Sequence, residues 1–448
     1  MTATTNICIV GAGPVGSLMS ILLARRGFNV TIYERRPDMR QVDIPAGRSI
    51  NLALANRGIN ALEKVGLMNE ISGHLIPMRG RMIHDETGKV SLQAYGNKAN
   101  EVIYSVSRGE LNKVLMNAAE SAGVRIAFDL RCEQLDLARK TLLLVDERTG
   151  EACEDSFDAI IGADGGGSAM REAIDALTDG EVMEDILGHG YKELTIPSDP
   201  NGEFMLDQNA LHIWPRGGHM LIALPNPDGS FTATLFLPNS GKESFASLNS
   251  DESVEAFFKQ RFPDAVSLMT NLAGNFRDNP TGMLGTIRCH PWHYQGVALL
   301  IGDAAHAIVP FHGQGMNAGF EDCVALDACI EHYGADWSTV FAEFEAERKP
   351  NAEAIADMAL ENYVEMRDSV RDPKFLLRKE LAWKLEELYP ESFIPRYSMV
   401  MFHQLPYAEA YRRGIIQTAI LEELTTSART LDEVNFERAE RLIEERIL

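Results

Sequence analysis

The sequence predicts an α/β protein: a parallel-sheet domain that opens the chain, an antiparallel sheet inserted into it, and a C-terminal helical region. Three observations predict this. "NICIV" at residues 6–10 is a β-branched apolar run that stops at "GAGPVG" before "SLMSILLARRG", where Leu18, Ile21 and Leu22 recur at helical spacing. "ALHIWP", "HMLIALP" and "FTATLFL", between residues 204 and 238, are short strand patterns separated by turn residues. From about residue 356 the pattern turns helical and charged, and Thr430 with Glu433 makes a capping box for a last helix.

Composition sets bounds on function. With 448 residues, 45% of them hydrophobic, the chain is long enough for two or three domains around a large core. A formal charge of −23 argues against nucleic acid and against an anionic membrane surface, so an anionic small substrate would need a local basic patch. The six cysteines, Cys8, Cys132, Cys153, Cys289, Cys323 and Cys329, are scattered and form no metal-ligand spacing. A reduced, cytoplasmic setting without a metal is expected. No apolar run reaches the roughly 18 residues that span a bilayer, so no membrane anchor is expected. Composition leaves the oligomeric state open, and a homodimer is compatible with it.

The opening strand, turn and helix read as a Rossmann-like dinucleotide site. Gly11 permits the tight turn, Gly13 lets backbone N–H groups approach a pyrophosphate, and Gly16 allows close helix–strand packing. A second strand, "NVTIYE", ends at Glu34, where an acid accepts both hydrogen bonds of a ribose diol. The alternatives are a purely structural βα turn and a solvated acid at a strand end.

Two further signals bear on which dinucleotide binds. "AIIGADGGGSAMR", residues 159–171, is an apolar strand running into Asp164 and Gly165. "VALLIGDAAHAIVPFHGQGMNAGFED" is a strand at 297–301, then Gly302 and Asp303, then a second bare turn opening a helix. A nicotinamide enzyme needs no second glycine turn so far downstream. One elongated cofactor touching both turns accounts for them, with Asp303 on polyol hydroxyls and the backbone of Gly313 and Gly315 against a flat ring.

The order G-x-G-x-x-G, D-G, G-D-A-A-H resembles the class A flavin-dependent aromatic hydroxylases. "GRSINLALANRG", "MRGRMIH", "HGYKEL", "LHIWPRG", "GDAAHAIVPFHGQGMN" and "ENYVEM" are similar to the members that hydroxylate kynurenine, over a stretch from about residue 6 to the C-terminal region. One departure is "GGGSAMR", which has an extra glycine where relatives carry Cys or Asn. The resemblance implies an FAD-binding domain at 1–72, 101–178 and 287–355, a substrate domain at 73–100 and 179–286, and a helical region at 356–448. It also implies bound FAD, NADPH as visiting cosubstrate, O2, and oxygen transfer through a flavin C4a-hydroperoxide to the ring of L-kynurenine. In eukaryotic members an anchor follows the helical region; none is expected here.

The resemblance assigns roles residue by residue. Arg81 and Tyr95 match the pair that holds the substrate carboxylate, with Arg79 the exposed alternative in the same string. Asn362 and Tyr397 match further contacts to the amino-acid head, and Leu211, Met220, Leu224, Thr234 and Phe236 match walls around the aniline ring. Pro310, Phe311 and His312 match the reacting end, where His312 orients the aniline or the flavin edge or is instead a loop histidine satisfied by backbone. Arg35, Ala53, Arg108, Met316 and Asn317 join Gly11, Gly13, Gly16, Glu34, Asp164, Asp303, Gly313 and Gly315 as FAD contacts. The rival readings are a related hydroxylase acting on another anionic aromatic acid, a flavin halogenase (whose W-x-W-x-I-P motif is missing), and a protein that holds FAD only structurally or as a sensor.

Overall fold

A computed structural model of the chain describes residues 5–42, 51–98, 100–368 and 372–447. Residues 47–50 of the "GRSINLALANRG" string lie outside these. The chain divides into two compact units, one of residues 1–75, 106–186 and 285–356, the other of 76–105, 187–284 and 357–448.

The first unit is built on a six-stranded sheet in the order His293–Tyr294, Ala298–Leu300, Ala159–Gly162, Asn6–Val10, Asn29–Tyr33, Arg125–Ala127. Every pairing is parallel except that of the first two strands. Ile7, Cys8, Ile9, Val10, Ile160, Ile161, Leu299 and Leu300 are buried, as the continuous apolar runs of a sheet covered on both faces require. The expected strand at 297–301 is realised as Ala298–Leu300, and Glu34 follows directly on Asn29–Tyr33.

The second unit holds a seven-stranded sheet in the order Thr281–His290, Glu181–Ile196, Phe231–Pro238, Met220–Pro225, Leu211–Pro215, Gly80–His84, Val90–Ala94. The three predicted strands pair antiparallel, but Leu211–Pro215 meets Gly80–His84 in parallel, so the sheet is mixed. Alternation splits its side chains between two faces. Trp214, Leu221, Ala223, Ala233, Leu235 and Leu237 pack on Phe257, Phe258 and Phe262 from the covering helices. The other face carries Leu211, Met220, Leu224, Thr234, Phe236 and Arg81.

The C-terminal helices Pro373–Leu388, Tyr407–Thr425 and Phe436–Arg446 close on a core of Leu377, Leu381, Leu385, Ile420, Leu424, Leu442 and Ile443. The expected capping box does not start the last helix. Thr430 instead precedes a 3-10 turn at Leu431–Glu433, and Asn435 caps the helix by accepting a hydrogen bond from the Arg438 N–H. Glu433 turns back to the Arg429 N–H at 2.8 Å, so its carboxylate braces the turn. Among the described residues no helix is long and apolar enough to cross a membrane.

Candidate active site

In the first unit, packing separates the three glycines of the opening turn. A Cβ on Gly16 would lie 2.1 Å from the Gly11 carbonyl oxygen, so only glycine lets the helix Pro14–Arg25 sit against the strand end. At Gly13 a Cβ would meet nothing within 4 Å, and the helix that starts there has no side-chain cap. That helix end therefore offers N–H donors and a positive dipole to open space. Glu34 accepts from the Ala12 N–H and the Arg36 N–H, each at 2.9 Å, bracing the turn while keeping lone pairs for a diol. Asn112 adds a bond to the Ala12 carbonyl at 2.9 Å, a brace 100 residues away along the chain that no local pattern announces. Arg35 is exposed. Arg108 is an exposed first residue of the helix Arg108–Ser121, where a cation opposes the dipole unless an anion such as a phosphate is close.

The second bare turn is locked from behind. Pro310–His312 is a 3-10 turn with Phe311 and His312 buried and Pro310 exposed. Gly313 follows at φ +66°, where a Cβ would lie 2.9 Å from that of Ala53. The Asn317 amide is fully used: Oδ1 accepts from the Ala55 N–H at 2.9 Å, and Nδ2 donates to the carbonyls of Ala53 at 2.8 Å and Gly313 at 2.9 Å. Its side chain thus ties the strand Asn51–Leu54 to the turn, and Ala53 takes part through its carbonyl. Gly315 and Met316 open the helix Gly315–Tyr333, again without a side-chain cap. Asp303 is exposed, with its carboxylate accessible. Asp164 is occupied locally, accepting from the Ser168 hydroxyl at 2.6 Å and the Met170 N–H at 3.2 Å; burial raises its carboxyl above the ordinary range.

Asp322, the last residue of the string quoted above, was given no role from sequence. It accepts from the Gly302 N–H at 2.9 Å, His306 Nε2 at 2.6 Å and Arg348 Nε at 2.8 Å. Burial alone would raise its carboxyl, but His306 and Arg348 outweigh that and hold it at about 2. Arg171 likewise bridges the two loops, donating to the carbonyls of Ala304 and Gly166. Two uncapped helix ends, an exposed acid and open space at Gly13 make a set that fits a dinucleotide with a pyrophosphate and a polyol.

In the second unit, residues far apart in sequence converge on Arg81. Arg81 is 5% exposed, whereas Arg79, the other arginine of the string, is exposed. Its Nη1 donates to Glu365 at 3.0 Å and its Nη2 reaches Asn362 Oδ1 at 3.4 Å, while buried Nε has no hydrogen-bond partner among the described residues. The guanidinium lies 5.2 Å from the centre of the Tyr397 ring, which stacks on Tyr95 with centroids 5.7 Å apart. Burial raises both phenols, Tyr397 to about 12, so both remain hydroxyl donors at neutral pH. Lys379, beside this group, is lowered to about 8 by burial and by the charge of Arg81. Two cations against Glu365 leave the cluster able to accept a carboxylate.

Glu365 and Lys379 were not expected from sequence. Glu365 is three residues from Asn362 within "ENYVEM", a spacing that puts both on one helix face, so it was within reach. Of the expected walls, Met220, Leu224, Thr234 and Phe236 are buried on the face of the sheet away from the helix-packed core. Register makes them neighbours: Met220 pairs with Phe236, and Thr234 pairs with Ile222, between Met220 and Leu224. Leu211 pairs with Arg81 itself.

The fold and these two clusters define an FAD-dependent hydroxylase class, and comparison with known proteins agrees. The FAD binding domain family matches residues 4–359. Kynurenine 3-monooxygenase of Myxococcus xanthus (strain DK1622) is 51% identical over 99% of this chain and 95% of its own length. That of Stenotrophomonas maltophilia (strain K279a) is 49% identical over 97% and 95%. The chain belongs to this FAD-binding family and, within it, to the kynurenine 3-monooxygenase family. Among solved structures, 2-methyl-3-hydroxypyridine-5-carboxylic acid oxygenase in its tetrameric form shares the fold with a TM-score of 0.66, at 19% identity over 84% of this chain and 96% of that one. Pseudomonas aeruginosa PqsL in complex with 2-aminobenzoylacetate does so with a TM-score of 0.64, at 18% identity over 82% and 97%.

Proposed function

We propose that this protein hydroxylates L-kynurenine to 3-hydroxykynurenine in the cytoplasm, consuming NADPH and O2. The observation that carries this reading is the buried Arg81, flanked by Tyr95, Tyr397 and Asn362 and set on a sheet face lined by Met220, Leu224, Thr234 and Phe236. An aromatic amino acid needs such a combination: a cation with hydroxyl donors for its carboxylate, an anion for its ammonium, and apolar walls for its ring. Arg81 takes the carboxylate through Nε and a shared Nη, Glu365 takes the ammonium, and the two phenols and Asn362 fix the head.

FAD, when bound, supplies reduction by NADPH and activation of O2 for transfer of one oxygen atom to the ring. The chain holds it through the backbone at Gly11, Gly13, Gly16, Gly313, Gly315 and Met316 and through Glu34, Arg35, Arg108 and Asp303. Ala53 and Asn317 shape the second turn, and Asp164 shapes its own loop. Pro310, Phe311 and His312 serve the reacting end. We assign 1–72, 101–178 and 287–355 to the cofactor, 73–100 and 179–286 to the substrate, and 356–448 to a helical region that contributes Asn362, Glu365 and Tyr397.

The test is to add L-kynurenine and NADPH to the purified yellow protein and follow NADPH oxidation and product together. One 3-hydroxykynurenine per NADPH is expected. NADPH consumption without a hydroxylated product would reduce kynurenine to an effector, and turnover of an anthranilate-like acid with kynurenine inert would move the protein to the rival hydroxylase.

A further inference from the structure

The strings "MRGRMIH" and "LHIWPRG" contain two histidines that the proposed chemistry does not use. His84 and His212 lie on the sheet face opposite Arg81, both buried, and form a chain of three short contacts. His84 Nδ1 lies 3.0 Å from Asp264 Oδ2, His84 Nε2 lies 2.9 Å from His212 Nδ1, and His212 Nε2 lies 2.9 Å from the Asp207 carbonyl oxygen. Both ends of this chain are acceptors. A carbonyl oxygen never donates, and Asp264 Oδ2 already accepts from Trp214 Nε1 at 2.8 Å.

Three contacts between two acceptors need three protons on four ring nitrogens, whereas two neutral imidazoles bring only two. A neutral pair would leave one contact with lone pairs facing each other at hydrogen-bond distance, which is costly for two rings as buried as His84 and His212. The arrangement is satisfied when one ring is an imidazolium. His212 is the ring that burial and His84 keep neutral, lowered to about 4, while Asp264 stays ionised at about 2 because His84 and Trp214 outweigh its burial.

We infer that His84 is held as an imidazolium between Asp264 and His212 and is a positioning residue, fixing the Gly80–His84 strand from behind so that Arg81 keeps its place on the other face. This inference rests on the kynurenine reading for its kinetic consequence. The strand end is gripped on several sides. The Trp214 ring stacks on His84 with centroids 4.2 Å apart, and Arg216, held by the Arg261 carbonyl, donates to the His84 carbonyl at 2.9 Å. Asp264 comes from the short helix Pro263–Val266, and Arg261 before it is paired with Glu243, so Asp264 is the carboxylate that faces the ring. Arg81 is three residues up the strand, and its partner across the register, Leu211, directly precedes His212.

The test combines a proton count with kinetics on the FAD-bound protein. Nitrogen-15 spectra of labelled histidines at neutral pH, assigned with His84→Gln and His212→Asn, are expected to show three protonated nitrogens across the two rings, two of them on His84 and one on His212. Two would overturn the charge. His84→Phe, which keeps a ring on Trp214 but removes the chain, is expected to raise KM for L-kynurenine about tenfold with kcat within about twofold and FAD content unchanged. His84→Gln, which still donates to Asp264, should recover part of the loss. An unchanged KM in His84→Phe, or a loss of kcat and FAD together, would overturn the positioning role. Asp264→Asn is the second variant: it should remove the third proton and raise KM in the same direction. If the unaltered protein leaves kynurenine untouched, the functional reading fails while the proton count still decides the state of His84.

Discussion

A single guanidinium carries the specificity argument. Arg81 is buried, it shares its Nη groups with Glu365 and Asn362, and its Nε has no partner among the described residues. A charge-assisted bond of this kind contributes about 1.5–3 kcal/mol, so Arg81→Ala is expected to raise KM for kynurenine ten- to a hundredfold. FAD should stay bound, because the cofactor turns belong to the first unit and Arg81 to the second. Arg81→Lys should recover little, since an ammonium presents no planar fork to a carboxylate and a neighbouring Glu365. Steady-state kinetics with the flavin absorbance of each variant checks both points, and an unchanged KM would remove Arg81 from the substrate site.

At the scale of elements, the decisive contact is between a strand end and a helix start. Gly16→Ala would drive a methyl to 2.1 Å from the Gly11 carbonyl oxygen, which is backbone and has no rotamer with which to move away. The helix Pro14–Arg25 must then lift off the sheet and carry its free N–H groups with it. Gly16→Ala is therefore expected to purify largely colourless, to need excess FAD for activity, and to melt several degrees lower, whereas Gly13→Ala, with open space at its Cβ, should fold normally and lose only cofactor affinity. Equal flavin content in Gly16→Ala and the unaltered protein would refute this account. This strand, turn and helix were legible in the sequence because each depends on neighbours within twenty residues. The wall of Met220, Leu224, Thr234 and Phe236 was legible in part, since period-two alternation sorts faces but does not say which face meets the helices. The cluster around Arg81 and the chain through His84 were not legible from pattern, because Tyr95, Asn362, Glu365, Lys379 and Tyr397, like Asp264 and His212, meet only through tertiary packing. The capping box at Thr430 misled for a related reason: the side-chain pattern was present, but Asn435 offered the better cap five residues later.

Across the whole molecule, the same buried ionic groups that hold the sites in place set its response to acid. Each unit has a carboxylate held at about 2, Asp322 by His306 and Arg348 against the effect of burial, and Asp264 by His84 and Trp214 against the same effect. In an unfolded chain these groups titrate near 4. Both folded values lie below the unfolded one, so the stabilisation they give is complete above about pH 5 and is lost as pH falls through 4 toward 2. For Asp322, which has no exposed side-chain surface, the loss is on the order of 2 kcal/mol; Asp264, about a third exposed, contributes less because water screens it. The urea midpoint is therefore expected to be flat from pH 7 to 5 and to fall steeply below 4. Asp322→Asn should lower the midpoint at pH 7 by leaving His306 without its carboxylate partner and Arg348 with Glu321 alone, a change of about 3 kcal/mol, and should flatten the acid limb because the group that titrates is gone. A variant that starts lower and falls just as steeply would show that acid sensitivity resides in the many surface carboxylates behind the −23 charge and not in this buried network.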